Sequence, residues 1–257
     1  MTALSSAQFQ LRVAYGMPAV DKDGRPFASR EQLIESAAQQ LVVAERQVPN
    51  SPVLGELQGF LLSLRNKPRG AAAAYRRARA LPGCEPDQRD TLVFNEARML
   101  AQAGDQKEAI SVLAVHRAEV QAKYADQLIL EQVSLLRQVG DPVAAVAQLD
   151  ALMAASSDPM AWVEAGSHYA ALGRAAAADA AFARAAGAVP MADYYRAKLK
   201  LAAGEVDTCL GLLENAVKAN PNEAKRLLQV DADAWQVLAG NARYQQATAT
   251  GSAAPGR

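Results

Sequence analysis

The sequence predicts an all-α solenoid of antiparallel helix pairs, and three observations carry that prediction. The 257 residues are 51% hydrophobic but only 5% aromatic, and alanine makes up about a fifth of them. That composition favours closely packed helices and excludes a β-sandwich. Gly104, Gly140, Gly173 and Gly204 recur at intervals of 36, 33 and 31 residues, the length of one helical hairpin. Around each glycine the side-chain sizes repeat. A small residue follows at the fifth position (Ala109, Ala145, Ala178, Cys209) and a large one at the ninth (Leu113, Leu149, Phe182, Leu213). Asn66, with Ala71 and Tyr75, falls in the same register.

The spacing has a direct physical reading. A residue that ends a helix in the left-handed region is most cheaply glycine, or else asparagine. Seven residues before each turn stand Gly59, Ala97, Val133, Gly166 and Ala197, small or modest side chains that let facing helices approach closely. One hairpin cannot bury its apolar face alone, but a stack can.

In chain order, residues 1–27 form a segment that is partly irregular, since Pro18 to Pro26 is too rich in turn formers for a helix. Ser29-Arg30-Glu31 opens a helix to about Gln47, with Ala37, Leu41 and Ala44 in register. This reads as the second helix of a unit lacking its first. Hairpins follow at about 52–81, 90–120, 126–156, 159–187 and 190–219. Asn222 to Gln229 and Asp231 to Tyr244 read as closing helices that cap the stack. The solenoid thus runs over 28–244, and from Gln245 onward the chain lacks apolar periodicity and is expected to be a disordered tail, 245–257.

The segment Trp162-Val163-Glu164-Ala165-Gly166-Ser167-His168-Tyr169-Ala170-Ala171-Leu172-Gly173, followed by Ala178, Phe182, Ala185 and Pro190, resembles the tetratricopeptide repeat (TPR). The chain departs from that pattern where Glu96, Gln132 and Arg196 occupy a position usually apolar, and where Lys200 replaces an aromatic or leucine. Those departures put regular stacking of their units in question. The closing helices resemble the ending of some bacterial members of the family. The resemblance implies a right-handed superhelix whose first helices line a concave groove that binds a segment or helix of another protein.

Carried over by register, the groove residues are Phe60, Phe94, Asn95, Arg98, Gln127, Leu130, Arg137, Met160, Tyr194 and Lys198. Phe94 and Tyr194 are the expected apolar anchors, aromatic side chains being typical of binding hot spots; the competing reading is that they pack against adjacent helices. The lysine and asparagine clamp by which one branch of the family holds a terminal carboxylate is not reproduced, because Phe94/Arg98, Leu130/Ser134 and Val163/Ser167 stand in its places.

Little in the sequence points to chemistry. His116 occupies a slot filled by small or apolar residues elsewhere and reads as a hydrogen-bonded structural imidazole. His168 follows Ser167, but neighbours on a helix point about 100° apart and do not pair as base and nucleophile. No phosphate-cradling loop or metal-ligand spacing occurs, so neither catalysis, a cofactor nor a metal is expected. Cys84 and Cys209 are too few and too distant for a disulfide framework, which suits a reducing compartment.

The 27 basic and 27 acidic side chains supply no global pull toward nucleic acid or anionic lipid. No apolar run approaches the roughly 20 residues that span a bilayer, and the start does not resemble a secretory signal; a cytoplasmic location is expected. Locally, Arg65, Lys67, Arg69, Arg76, Arg77 and Arg79 form a basic patch, with no acidic residue between Gly59 and Cys84. It lacks the interleaved aromatics of a specific nucleic-acid reader, and the solvated-face reading is preferred to a docking site for an acidic surface or phosphate. The functional expectation is a non-catalytic adaptor. The alternatives are a self-assembling solenoid, in which a second copy covers the incomplete first unit, and a regulatory subunit that accompanies an enzyme.

Overall fold

The structure, a computed structural model, describes residues 2–16 and 29–249. The chain divides into two compact units, Met1–Leu128 and Ile129–Arg257. The first holds α1 (Ala3–Tyr15), α2 (Arg30–Gln47), α3 (Pro52–Leu64), α4 (Pro68–Arg79), α5 (Pro86–Gln102), α6 (Gln106–His116) and the start of α7 (Ala122–Gln138). The second continues from α7 through α8 (Pro142–Ala155), α9 (Pro159–Ala171), α10 (Ala175–Ala185), α11 (Ala192–Ala202) and α12 (Val206–Ala219). It closes with α13 (Pro221–Val230), the short α14 (Ala232–Trp235), a 3-10 turn at Gln236–Leu238, and α15 (Ala242–Ala249). Among the described residues no strand occurs, and no helix is long and apolar enough to cross a membrane.

Local chemistry sets the helix boundaries. Pro52, Pro68, Pro86, Pro142, Pro159 and Pro221 each stand at the first helical position, where the missing N–H is no loss. Ser29 and Gln32 form a reciprocal cap at the start of α2 (3.2 and 2.9 Å). Asn66, Gly104, Gly140, Gly173 and Gly204 all take positive φ, between 53 and 87°. After each, the next backbone N–H donates to the carbonyl of Leu62, Leu100, Leu136, Tyr169 or Lys200 at 2.8–2.9 Å. These left-handed closures satisfy the orphan carbonyls at each helix end. Lys200 fits because the motif needs only its carbonyl; its ammonium reaches Asp179 (3.4 Å) and Glu205 (3.3 Å).

The size pattern is a fit between facing helices. The Tyr75 ring lies where a Cβ on Gly59 would sit 2.5 Å away, and the Phe182 ring lies 2.6 Å from a Cβ built on Gly166. The same register carries Ala97 with Leu113 and Ala197 with Leu213. A smaller second-helix side chain therefore goes with a larger first-helix one. All of these but Gly59 and Gly166 belong to the buried apolar core, where Tyr75, Leu113, Phe182 and Leu213 are nearly inaccessible.

Three expectations are corrected. The first unit is not a half repeat: α1, capped by Thr2, packs Ala7, Leu11 and Ala14 against Ile34, Ala37, Leu41 and Ala44 of α2. The missing helix lies beyond a link longer than the other turns; residues 17–28, which include the Pro18–Pro26 segment, lie outside the described residues. The α2 face that motivated self-assembly thus packs on α1, while Phe9, Tyr15, Val42 and Val43 of the pair remain exposed. The tail is not irregular from Gln245: α15 continues to Ala249, started by the Asn241 side chain, which accepts from Arg243 and Tyr244 (3.0 and 3.1 Å), and anchored by buried Ala247. Residues 250–257 lie outside the described residues. Finally, the second closing helix is divided: α14 passes into the 3-10 turn at Gln236, and the turn at Ala239 and Gly240 separates both from α15.

Candidate partner-binding surfaces

In the first unit, the first helices α3 and α5 carry five expected groove residues or their neighbours. Phe60 is half-buried and meets the ring edge of Tyr15, 5.6 Å between centroids, with Tyr15 itself 75% exposed. Glu56 accepts from Gln88 at 2.9 Å and links α3 to α5. Phe94 is 6% exposed and turns its edge to Tyr124 at the start of α7 (6.2 Å), over which Lys123 sits at 4.9 Å. Phe94 is therefore a packing residue. Asn95 is half-buried, while Arg98 and Gln127 are exposed.

In the second unit, Leu130 is buried and Arg137 is exposed, donating to Nδ1 of His168 at 2.9 Å. Burial, and then the Arg137 charge, holds the His168 pKa below its ordinary value, so the ring is the neutral acceptor of this cross-helix bond. Met160 is 52% exposed. Tyr194 is fully buried; its hydroxyl donates to Asp231 (2.8 Å) and accepts from the Trp235 indole (3.0 Å). Lys198 pairs with the same Asp231 oxygen at 2.7 Å. Burial alone would raise the Asp231 carboxyl, but Lys198 and the Tyr194 hydroxyl more than offset it and hold it low. Burial drives the Tyr194 phenol well above its usual range.

Tyr194 and Lys198 are thus held by the chain's own closing elements. Phe94, Leu130, Val163 and Tyr194 share one register position and are all buried. For Phe94 and Tyr194 the covering group comes from a later helix, Tyr124 of α7 in one case and Trp235 of α14 in the other. At the groove positions of α5, α7 and α9, what stays on the surface is polar and sulfur-bearing: Asn95, Arg98 and Gln127 in one unit, Arg137 and Met160 in the other.

The basic patch is for the most part an ion-pair lattice. Arg65 meets Glu35 (2.8 Å) and Arg69 holds Asp105 through two bonds (2.8 and 3.0 Å). Arg76 spans Glu96 and Glu108, both at 2.6 Å, and Arg79 takes the other Glu96 oxygen at 2.8 Å. Lys67 and Arg77 are exposed, with no partner among the described residues. The arginines run through a stretch without acids, but α2, α5 and α6 bring the acids to them. Glu96, 0% exposed, fills its apolar slot as the carboxylate between two guanidiniums. Arg196 answers the same way, bonded to Asp179 (2.8 Å) and Asp193 (3.2 Å). These polar residues in an apolar register were the available signal of cross-helix pairs.

His116, also polar in an apolar slot, carried the same signal, but its partners were not legible. Buried His116 lies 2.6 Å from buried Asp90, whose second oxygen accepts from the Gln121 side chain (2.8 Å) and backbone N–H (3.3 Å). It ties α5, the end of α6 and the approach to α7 together. The imidazole is buried and bonded through Nε2, with Glu119 3.9 Å from Nδ1, and Cys209 is likewise buried, with its thiol pushed up to about 11 by burial.

No family model matches the sequence, and no curated protein matches it. Solved structures do. The C-terminal part of a TPR repeat-containing protein from Cytophaga hutchinsonii aligns with 98% of this chain and 100% of its own, at 15% identity and a TM-score of 0.60. PilW, a widely conserved type IV pilus biogenesis factor, aligns over 96% of this chain and 97% of its own at 15% identity and 0.51. PilF of Pseudomonas aeruginosa aligns over 89% and 99% at 13% identity and 0.52. With the recurring left-handed closures and the matched small and large side chains, this similarity shows that the chain has the all-α fold of the tetratricopeptide-repeat proteins, built from antiparallel helix pairs.

Proposed function

We propose that the chain is a non-catalytic protein-interaction scaffold whose first-helix surfaces bind a segment of another protein and help to organise an assembly. The observation that supports this best is the division of labour on those helices. At the shared register position Phe94, Leu130, Val163 and Tyr194 are consumed by packing, while Asn95, Arg98, Gln127, Arg137 and Met160 stand at the surface on preformed helices. Amides, cations and an adaptable thioether displayed on preformed helices bind without a backbone ordering cost, leaving only the side-chain rotamers to be fixed. The fold shared with other repeat proteins fits the same reading. Both histidines hold structural bonds.

The test compares capture of host proteins by the full chain and by Asn95→Ala/Arg98→Ala/Gln127→Ala/Met160→Ala, with mass spectrometry of what each retains. The variant is expected to hold the specific partner at least tenfold more weakly, about 1.4 kcal/mol, with helical circular dichroism unchanged. Equal retention by both proteins overturns the assignment of these surfaces.

A further inference from the structure

The end of the second unit carries a feature separate from the first-helix surfaces. The C-terminal part of α12, together with α13 and α15, forms two adjoining open depressions of about 300 and 240 Å³ that share Val217 and Pro221 as walls. Leu228, Ala232 and Tyr244 also line the larger one, with Gln229 and Thr248 as its polar neighbours. Lys225 lines the larger cavity and Lys218 the smaller. A trough of this size is at the small end of ligand clefts, which run from about 300 to 1,000 Å³. It accommodates one or two apolar side chains and not an extended cofactor.

The charges around it are unequal in their engagement. Arg226 is held by Glu223 (2.6 Å) and Arg243 by Glu214 (2.6 Å), while Asp231 is taken by Lys198 (2.7 Å). Lys218 and Lys225 alone among these cations make no hydrogen bond or ion pair within the described residues, and both are exposed. Two uncompensated ammonium groups therefore flank a largely apolar trough whose lining acid, Glu214, is already bound on both oxygens (2.6 and 2.9 Å). A complementary occupant presents large apolar side chains with carboxylates beside them.

We infer that this C-terminal trough docks a short acidic segment of a partner protein, one or two aromatic or leucine side chains entering between Val217, Leu228 and Tyr244 while flanking aspartates or glutamates pair with Lys218 and Lys225. Apolar burial supplies the anchor, and the lysines supply orientation and a salt-dependent encounter rate, as charges at an interface rim do. The site is independent of the scaffold reading, since it uses none of the first-helix residues.

The test is a ¹H–¹⁵N NMR titration of the full chain with the blocked peptide acetyl-Glu-Asp-Phe-Leu-Glu-Asp-amide, beside a control peptide with every acid replaced by its amide. Saturable shifts confined to α12, α13 and α15 are expected with the acidic peptide. Binding should weaken at least tenfold for the amide control, for Lys218→Glu/Lys225→Glu, and on raising salt to about 0.5 M, where the Debye length falls below about 5 Å. Leu228→Asp should abolish it, while Arg98→Ala/Met160→Ala should leave it unchanged. Absence of saturable shifts, equal binding of the amide peptide, or shifts mapping elsewhere overturns the inference. Decanoate filling the trough where the peptide does not would overturn it in favour of a small amphiphile.

Discussion

Substituting alanine for Gly166 tests the packing rule on which the helix pairs rest. An alanine Cβ there would lie 2.6 Å from Cε1, 2.7 Å from Cδ1 and 2.9 Å from Cζ of Phe182. Carbon atoms in good contact sit about 3.5–4.0 Å apart, so the ring must withdraw by about 1 Å. It is 2% exposed and has nowhere to go. Overpacking of this kind costs about 1–3 kcal/mol, against a gain of about 1 kcal/mol for replacing glycine within a helix. The net expectation is a loss of about 1 kcal/mol. In a Phe182→Leu background the ring is gone, and the pair becomes alanine with leucine, as at Ala97/Leu113 and Ala197/Leu213. There the same Gly166→Ala change should stabilise by about 1 kcal/mol, giving a coupling of about 2 kcal/mol. Urea unfolding of the four proteins, followed by circular dichroism at 222 nm and compared at constant m, measures it. The same sign of effect in both backgrounds would refute the reasoning.

Further outcomes follow from the polar contacts. Arg76→Ala/Arg79→Ala strands the buried Glu96 carboxylate and should destabilise by about 3–5 kcal/mol, whereas Glu96→Gln, which keeps the shape, should cost clearly less; thermal melting ranks the two. The depressed His168 pKa means that the unfolded chain binds a proton more readily than the folded one, so stability should fall as pH drops below the ordinary histidine value of about 6.5. Removing the imidazole in His168→Gln should flatten that part of the pH profile, read from melting temperatures between pH 7.5 and 5. Asp231→Ala removes the acceptor of both Tyr194 and Lys198 and should cost about 1.5–3 kcal/mol, with a red shift of Trp235 emission in a Trp162→Phe background.

The turn glycines and Asn66 were legible because a left-handed closure restricts residue type directly, and all five took that conformation. The small and large positions were legible for the same kind of reason, since close approach excludes side chains locally. The binding surface was harder. Phe94 and Tyr194 lie on the expected face, yet a rotation of a fraction of a turn separates a position that lines a surface from one that meets the next helix. That rotation depends on neighbours such as Tyr124 and Trp235. The arginine run looked unbalanced because its acids lie 17 to 36 residues away in sequence.

By itself, then, the sequence determined the helix pairs, their closures and their packing complement, all consequences of short-range sterics and backbone conformation. Tertiary structure alone decided which side chains remain outside, how Glu96 and Asp90 are neutralised or bonded, and that α1 packs on α2. Those outcomes depend on groups brought together across helices, where burial makes a partner necessary and chain order gives no indication of which one it will be.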